Sequence, residues 1–205
     1  LSIKVILDNG EEGVYPEGTT CMDLYREKTA ENKDLIAVLV DGKECDLNLP
    51  LAESNTISFV DFDSPRGASV YRHSAGHILA HAVKRLHPTA KMGIGPAIEN
   101  GFYYDFEFEK PISADDLPAI EAEMKKIVKE RKPIRRREMS REEAEEIFRS
   151  KNETYKLELI ADLPEDVVIS CYEQDEFIDL CAGPHLNHTG MVKAFKLTGL
   201  AGAYW

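Results

Sequence analysis

Two short stretches of the 205-residue sequence hold most of its chemically capable side chains. His73-Ser74-Ala75-Gly76-His77 is an H-x-x-x-H pattern, and His81 repeats the spacing one turn further on. On a helix, four residues turn the chain by about 400°, so the imidazoles of His73 and His77 stand about 40° apart on one face. Far downstream, Cys181-Ala182-Gly183-Pro184-His185 forms a C-x-x-x-H segment. Histidines and a thiol in this combination are a set able to bind zinc tetrahedrally or to polarise a water molecule. A row of surface histidines plus a buried free cysteine accounts for the same spacing, and spacing alone leaves both readings open.

Other polar residues join the list. Asp179 precedes Cys181 by two positions, so on a strand both point to one face. Lys156 stands among Tyr155, Leu157 and Leu159. That pattern reads as a half-buried strand, where burial lowers a lysine pKa. Tyr103-Tyr104-Asp105 follows the Asn100-Gly101 turn and places a phenol near a pocket. Gly93-Ile94-Gly95 is no nucleotide fingerprint, because Ile98 stands where the third glycine belongs.

The elements that must position these groups read as follows. In residues 2–7, Ile3, Val5 and Leu7 share one face of a strand, and Asp8-Asn9-Gly10 turns it toward a second near Val14-Tyr15. Thr19 and Thr20 offer N-caps for a helix through Met22, Leu24 and Tyr25. Residues 35–40 read as a buried strand, and short strands follow at 44–47 and 56–62. This β-β-α-β-β order fits a small ubiquitin-like β-grasp domain over residues 1–63, with Asp63-Ser64-Pro65-Arg66-Gly67 as the boundary.

Residues 64–205 read as a second, α+β domain. Its first helix, 69–86, carries an aliphatic stripe of Ala75, Ile78, Leu79, Ala82, Val83 and Leu86, with the histidine row roughly opposite. A strand-rich region covers 91–109. Ser113 caps a long helix that ends at Pro133, and Ser140 with Glu143 forms a capping box for the next. Strands at 155–160, 167–172, 177–180 and 194–197 complete the domain.

Composition excludes several classes. With 43% hydrophobic and 30% charged residues, the chain is globular rather than disordered. The apolar run at 35–40 is too short to span a membrane. Four scattered cysteines without a C-x-x-C pair argue against a zinc ribbon, a thioredoxin-like motif or a disulfide scaffold, and favour a cytoplasmic setting. The net charge of −12 argues against a broad phosphate-binding surface. Residues 125–141 are the exception, with nine basic and two acidic residues. They read either as a solvated helix followed by a basic loop or as a nucleic-acid contact.

Taken in order, the β-grasp unit, His73-Ser74-Ala75-Gly76-His77, Lys91-Met92-Gly93-Ile94-Gly95-Pro96, Asn100-Gly101-Phe102-Tyr103-Tyr104-Asp105, Tyr155-Lys156-Leu157, Asp179-Leu180-Cys181-Ala182-Gly183-Pro184-His185 and Ala201-Gly202-Ala203-Tyr204-Trp205 resemble a known pattern. It is that of the amino-terminal region of bacterial-type threonyl-tRNA synthetases. The resemblance covers essentially the whole chain and implies a TGS domain followed by an editing domain with a helix-lined, strand-floored cleft. The absent initiator methionine fits a trimmed piece of a longer chain.

The resemblance implies hydrolysis of seryl-tRNA(Thr). A threonine site rejects serine only through one missing methyl, worth roughly 1–3 kcal/mol, so a second sieve is needed. By motif, His73, His77, Tyr104, Lys156, Asp179, Cys181 and His185 line the editing pocket. His73 and Lys156 activate a water and move a proton, Asp179 and His185 orient the seryl group, and His77 and Cys181 exclude the threonine methyl. Met92, Gly93, Ile94, Gly95 and Pro96 hold the terminal adenosine.

No metal is required on this reading, although His73, His77, Cys181 and His185 also resemble the zinc set of alanyl-type editing domains. ATP, magnesium and the catalytic zinc of the family belong to domains outside this chain. The expected partner is the tRNA(Thr) acceptor end carrying serine, with no membrane, and a monomeric chain from homodimeric relatives. Ala182 departs from the family's basic residue there and weakens a tRNA contact. Rival readings are a stand-alone alanyl- or seryl-tRNA deacylase with zinc, a non-catalytic RNA-binding module and a structural zinc protein.

Overall fold

The computed structural model describes residues 1–30, 35–45 and 48–205, with Lys43–Cys45 as backbone only. The chain divides into two compact units. Leu1–Tyr71 with Gly183–Asn187 form one, and Arg72–Ala182 with His188–Trp205 form the other.

Among the described residues, the first unit holds a mixed five-stranded sheet, a helix of its own and the opening turns of the helix that begins at Pro65. Strands β1 (Ser2–Leu7), β2 (Glu12–Pro16), β3 (Leu35–Val40), β4 (Lys43–Cys45) and β5 (Thr56–Asp61) lie in the order β2-β1-β5-β3-β4. Among the described residues, β1 and β5 are the one parallel pair, and the other pairs are antiparallel. The expected strand at 44–47 thus ends within the described residues at Cys45, and 46–47 lie outside them. Helix α1 (Cys21–Thr29) starts at a reciprocal cap, in which Thr20 Oγ1 accepts the Asp23 N–H and Asp23 accepts the Thr20 N–H. The alternation in β1 buries Ile3 and Val5 with Cys21, Met22, Leu24, Val38, Leu51 and Ile57.

Helix α2 (Pro65–Leu86) begins one residue after Ser64, whose Oγ accepts the Gly67 N–H. Between Ser74 and Val83 it is buried almost all round, including Ser74, His77 and His81. The histidine face is therefore interior, and Leu86, expected in the apolar stripe, is 40% exposed instead. The region after it is strand-rich as expected. It forms two small hairpin-like pairs, β6 (Lys91–Met92) with β9 (Phe106–Glu107) and β7 (Ala97–Ile98) with β8 (Gly101–Phe102).

A 3₁₀ turn at Ala114–Asp116, capped by Ser113, leads into α3 (Leu117–Glu130). Arg131 ends α3 in the left-handed conformation. Strand β10 (Arg135–Met139) occupies what the sequence reads as a basic loop. Ser140 then caps α4 (Arg141–Ser150) through the Glu143 N–H, while the Glu143 carboxylate pairs with Arg137.

Residues 155–160 are a second correction. They are not a strand but lie within α5 (Thr154–Asp162). Tyr, Leu and Leu at alternate positions imitate a strand, yet burial follows the helical spacing: Lys156 and Ile160, four apart, are both buried. A three-stranded antiparallel sheet, β10-β11-β12, completes the unit, with β11 (Ile169–Gln174) at its centre and β12 (Phe177–Leu180) at its edge. Ile169, Cys171 and Ile178 pack with Ala144, Phe148 and Ile160 of α4 and α5. The expected strand at 194–197 is irregular chain; its Leu197 N–H goes to Glu121 of α3 rather than to a sheet. No helix among the described residues is long and apolar enough to cross a membrane.

Candidate active site

The pleat of β12 explains the site. Ile178 and Leu180 belong to the helical layer of α4 and α5, so Phe177 and Asp179 point the other way. Asp179 is 2% exposed and has three polar side chains close to its oxygens. Its Oδ1 meets Lys156 Nζ at 2.7 Å. Its Oδ2 accepts the Tyr104 hydroxyl at 2.6 Å and lies 3.2 Å from His77 Nε2. The Lys156 ammonium also sits 5.3 Å from the Tyr104 ring centroid, within cation–π range. A buried carboxylate with a lysine at this distance is compensated in charge, and the tyrosine hydroxyl adds a hydrogen bond.

His73 and Cys181 stand beside this hub. Cys181 Sγ is 3.4 Å from His73 Nε2, and the His73 and His77 rings meet edge-on with centroids 5.3 Å apart. The Cys181 backbone is held to Ser170 on both sides: its N–H donates to the Ser170 carbonyl, and its carbonyl accepts the Ser170 hydroxyl. His73 and Cys181 are only partly buried, whereas His77 is 2% exposed. The ligand atoms of His73, His77 and Cys181 lie within 4.8 Å of one another, close enough to hold one zinc ion. His185, the fourth donor expected from the sequence, is itself buried, and its segment groups with the first compact unit.

The protonation states follow from burial. Burial lowers His73 from its ordinary value of 6.5, against the raising effect of the Asp179 charge. His77 is lowered further, by burial first and then by His73 and Lys156. Both imidazoles are therefore neutral at pH 7, and a neutral ring can accept a proton. Tyr104 moves the opposite way, pushed well above its ordinary range by burial and then by Asp179, so it stays a phenol and a donor.

The glycine loop packs against the hub. A methyl group on Gly95 would stand 2.1 Å from the Tyr104 ring, so only glycine lets the loop approach so closely. Met92 is a core residue, and the Gly93 N–H already donates to the Asp105 carbonyl. Ile94, whose carbonyl accepts the Asp105 N–H, is 41% exposed. Of the hub residues, Tyr104 alone also lines a neighbouring cavity of about 810 Å³, which Phe102, Tyr103, Phe106 and Phe108 share.

His81 is set apart. Its Nε2 is 2.9 Å from Glu176, its Nδ1 is 3.0 Å from Gln174, and its ring stacks on Phe177. It is a fully engaged structural histidine, not a third member of a reactive row. Gln174 and Ser170, which fix His81 and Cys181, carry no signal in the sequence beyond the pleat of β11.

Threonine–tRNA ligases of bacteria share this sequence over nearly its full length. That of Desulforamulus reducens is 50% identical over 204 residues, 99% of this chain and 32% of the relative. Those of Syntrophomonas wolfei and Thermotoga neapolitana are each 49% identical, over 99% and 100% of this chain. The chain is homologous to bacterial threonine–tRNA ligases. It spans about a third of the length of the curated relatives it matches. Residues 169–202, which run from β11 past Asp179 and Cys181, match the family model described as the threonyl and alanyl tRNA synthetase second additional domain. That homology and the Asp179 hub thus fall on the same stretch of chain.

Proposed function

We propose that this chain is the editing part of a threonine–tRNA ligase and hydrolyses seryl-tRNA(Thr). The observation that carries the reading is the buried Asp179, which gathers Lys156, Tyr104 and His77 beside a half-buried neutral His73. Hydrolysis of an ester needs a group that takes a proton from water and positive charge near the developing oxyanion. His73 supplies the first and the Lys156 ammonium the second. Water oxygen bonds to the seryl carbonyl carbon, the bond to the ribose oxygen breaks, and the proton taken by His73 passes to that oxygen. Free serine and uncharged tRNA(Thr) result.

Asp179 orients the seryl group, and His77 and Cys181 limit the space for the threonine methyl. Ile94, Gly95 and Pro96 offer a face for the terminal adenosine, with Met92 and Gly93 holding that loop in place. The first sixty-three residues are a TGS domain of β-grasp type, and residues 64–205 are the editing domain. The mixed sheet of the first unit, with α1 as its helix, supports the β-grasp reading.

If zinc is bound, His73, His77 and Cys181 would hold it, and it would supply Lewis-acid polarisation of water. We assign the activation to protein groups, because Lys156 already brings a cation to the hub. The test is hydrolysis of seryl-tRNA(Thr) beside threonyl-tRNA(Thr) at high protein concentration, with and without a chelator. Selective loss of serine in both conditions is the expected result. Loss of activity with chelator, restored by zinc, would favour the zinc deacylase reading, and turnover of neither ester would defeat the hydrolytic one.

A further inference from the structure

Glu153 is a carboxylate only 1% exposed, outside the group of residues that surrounds Asp179. It immediately precedes α5 but does not cap that helix with its side chain. Its Oε2 instead accepts the Met92 N–H at 2.8 Å, and its Oε1 pairs with Lys84 Nζ at 2.7 Å. Lys84 in turn donates to the carbonyls of Pro88 and Ala90, just beyond the end of α2. The backbone at Glu153 is fixed as well: its N–H donates to Phe148 of α4 and its carbonyl accepts the Leu157 N–H.

One buried carboxylate thus joins the last turn of α2, the end of β6 and the first turn of α5. These elements carry His73 and His77, the loop 93–96, and Lys156. A carboxylate buried here without partners would be strongly disfavoured, and Lys84 and the Met92 amide are the partners it has. Lys156 follows Glu153 by three residues, so any shift in how α5 begins is transmitted within one turn to the ammonium on Asp179.

We propose that Glu153 is a positioning residue for ester hydrolysis, locking the start of α5 to β6 and α2 so that Lys156 reaches Asp179. The inference rests on the hydrolytic reading for its kinetic consequence, but its geometry can be tested without turnover. Glu153→Gln keeps the volume and an acceptor for Met92 while placing an amide NH2 against Lys84. It is expected to lower kcat for seryl-tRNA(Thr) about 10- to 100-fold, the scale of a displacement on the order of 1 Å, with KM little changed.

The second readout is the side-chain ammonium of Lys156 in ¹H–¹⁵N NMR, assigned by its disappearance in Lys156→Met. In the unaltered chain this buried ammonium gives a protected signal. In Glu153→Gln the signal shifts or broadens while the backbone amide spectrum stays native. An unchanged ammonium signal, or a wild-type kcat, would overturn the inference. If the unaltered chain hydrolyses no ester, the functional reading fails and the NMR comparison still decides the role of Glu153. Should Glu153→Gln not fold, Glu153→Asp, which keeps the charge but shortens its reach, is judged by the same two measurements.

Discussion

Asp179 has two oxygens and three donors, and this crowding determines what each neighbour does. Lys156 is held as the cation of a buried ion pair, Tyr104 as a permanent donor, and His77 as a neutral ring bound through Nε2. His73 lies at the more open side and is the group left to exchange protons with solvent. Replacing either Lys156 or His73 by alanine is expected to abolish seryl-tRNA(Thr) hydrolysis in a single-turnover assay, and retained activity in one variant would remove that residue from the mechanism.

The same burial makes a stability prediction. His73 and His77 resist protonation in the native state, whereas in the unfolded chain they titrate near their ordinary value of 6.5. The unfolded chain therefore binds more protons below that pH. The stability contribution of the neutral rings is complete above it and is lost as the pH falls toward their lowered native values. Melting temperature is expected to drop between about pH 7.5 and about pH 5.5, and less so in His77→Gln. An identical drop in the variant would show that His77 is not responsible.

Residue types and spacing brought His73, His77, Cys181 and His185 to notice but left a structural reading open, and it was the resemblance of the ordered motifs that joined Asp179, Lys156 and Tyr104 to them. They could not show that Asp179 is the centre, because its three partners come from separate elements. Nor could they separate His81 from its neighbours: helical spacing is identical, and the difference lies in Glu176, Gln174 and Phe177 from the facing sheet.

At the scale of elements, Lys156 gives the plainest lesson. A strand and a helix both bury it, so its burial was legible while its element was not. The helical assignment matters because Lys156 then depends on where α5 begins. The basic strand β10 was hidden for another reason. Arg135, Arg136 and Arg137 conceal the alternation behind uniform charge, while backbone pairing to Glu173, Tyr172 and Cys171 makes the strand.

The close approach of the glycine loop to α2 and Tyr104 is an element-level constraint of a different sort. In Gly95→Ala the new methyl must displace the Tyr104 ring and break its bond to Asp179. Such overpacking costs typically about 1–3 kcal/mol. Urea denaturation should show that loss, with hydrolysis impaired beyond it. A variant as stable and active as the parent would mean that the loop yields freely.

At the scale of the molecule, the basic run is less exposed as charge than its composition suggests. Arg136 pairs with Glu138, Arg137 with Glu143 and Glu173, and Lys132 lies 3.7 Å from Asp175. Lys125 and Lys129, one helical turn apart on α3, are both exposed. If this face meets tRNA phosphates, replacing both lysines by alanine should weaken binding and reduce the salt dependence of log K by about 1.8, at about 0.9 per phosphate contact. An unchanged slope would place the RNA elsewhere.

The contact between His73 and Cys181 joins residues 108 positions apart. During synthesis the amino-terminal half of the reactive group therefore leaves the ribosome well before the rest. At roughly 5–20 residues per second, the interval is on the order of 5–20 s. Throughout that interval His73 and His77 are already made while Asp179 and Cys181 are still to come. Assembly of the group thus waits for β12 to pair with β11, whatever the amino-terminal helix has done by then.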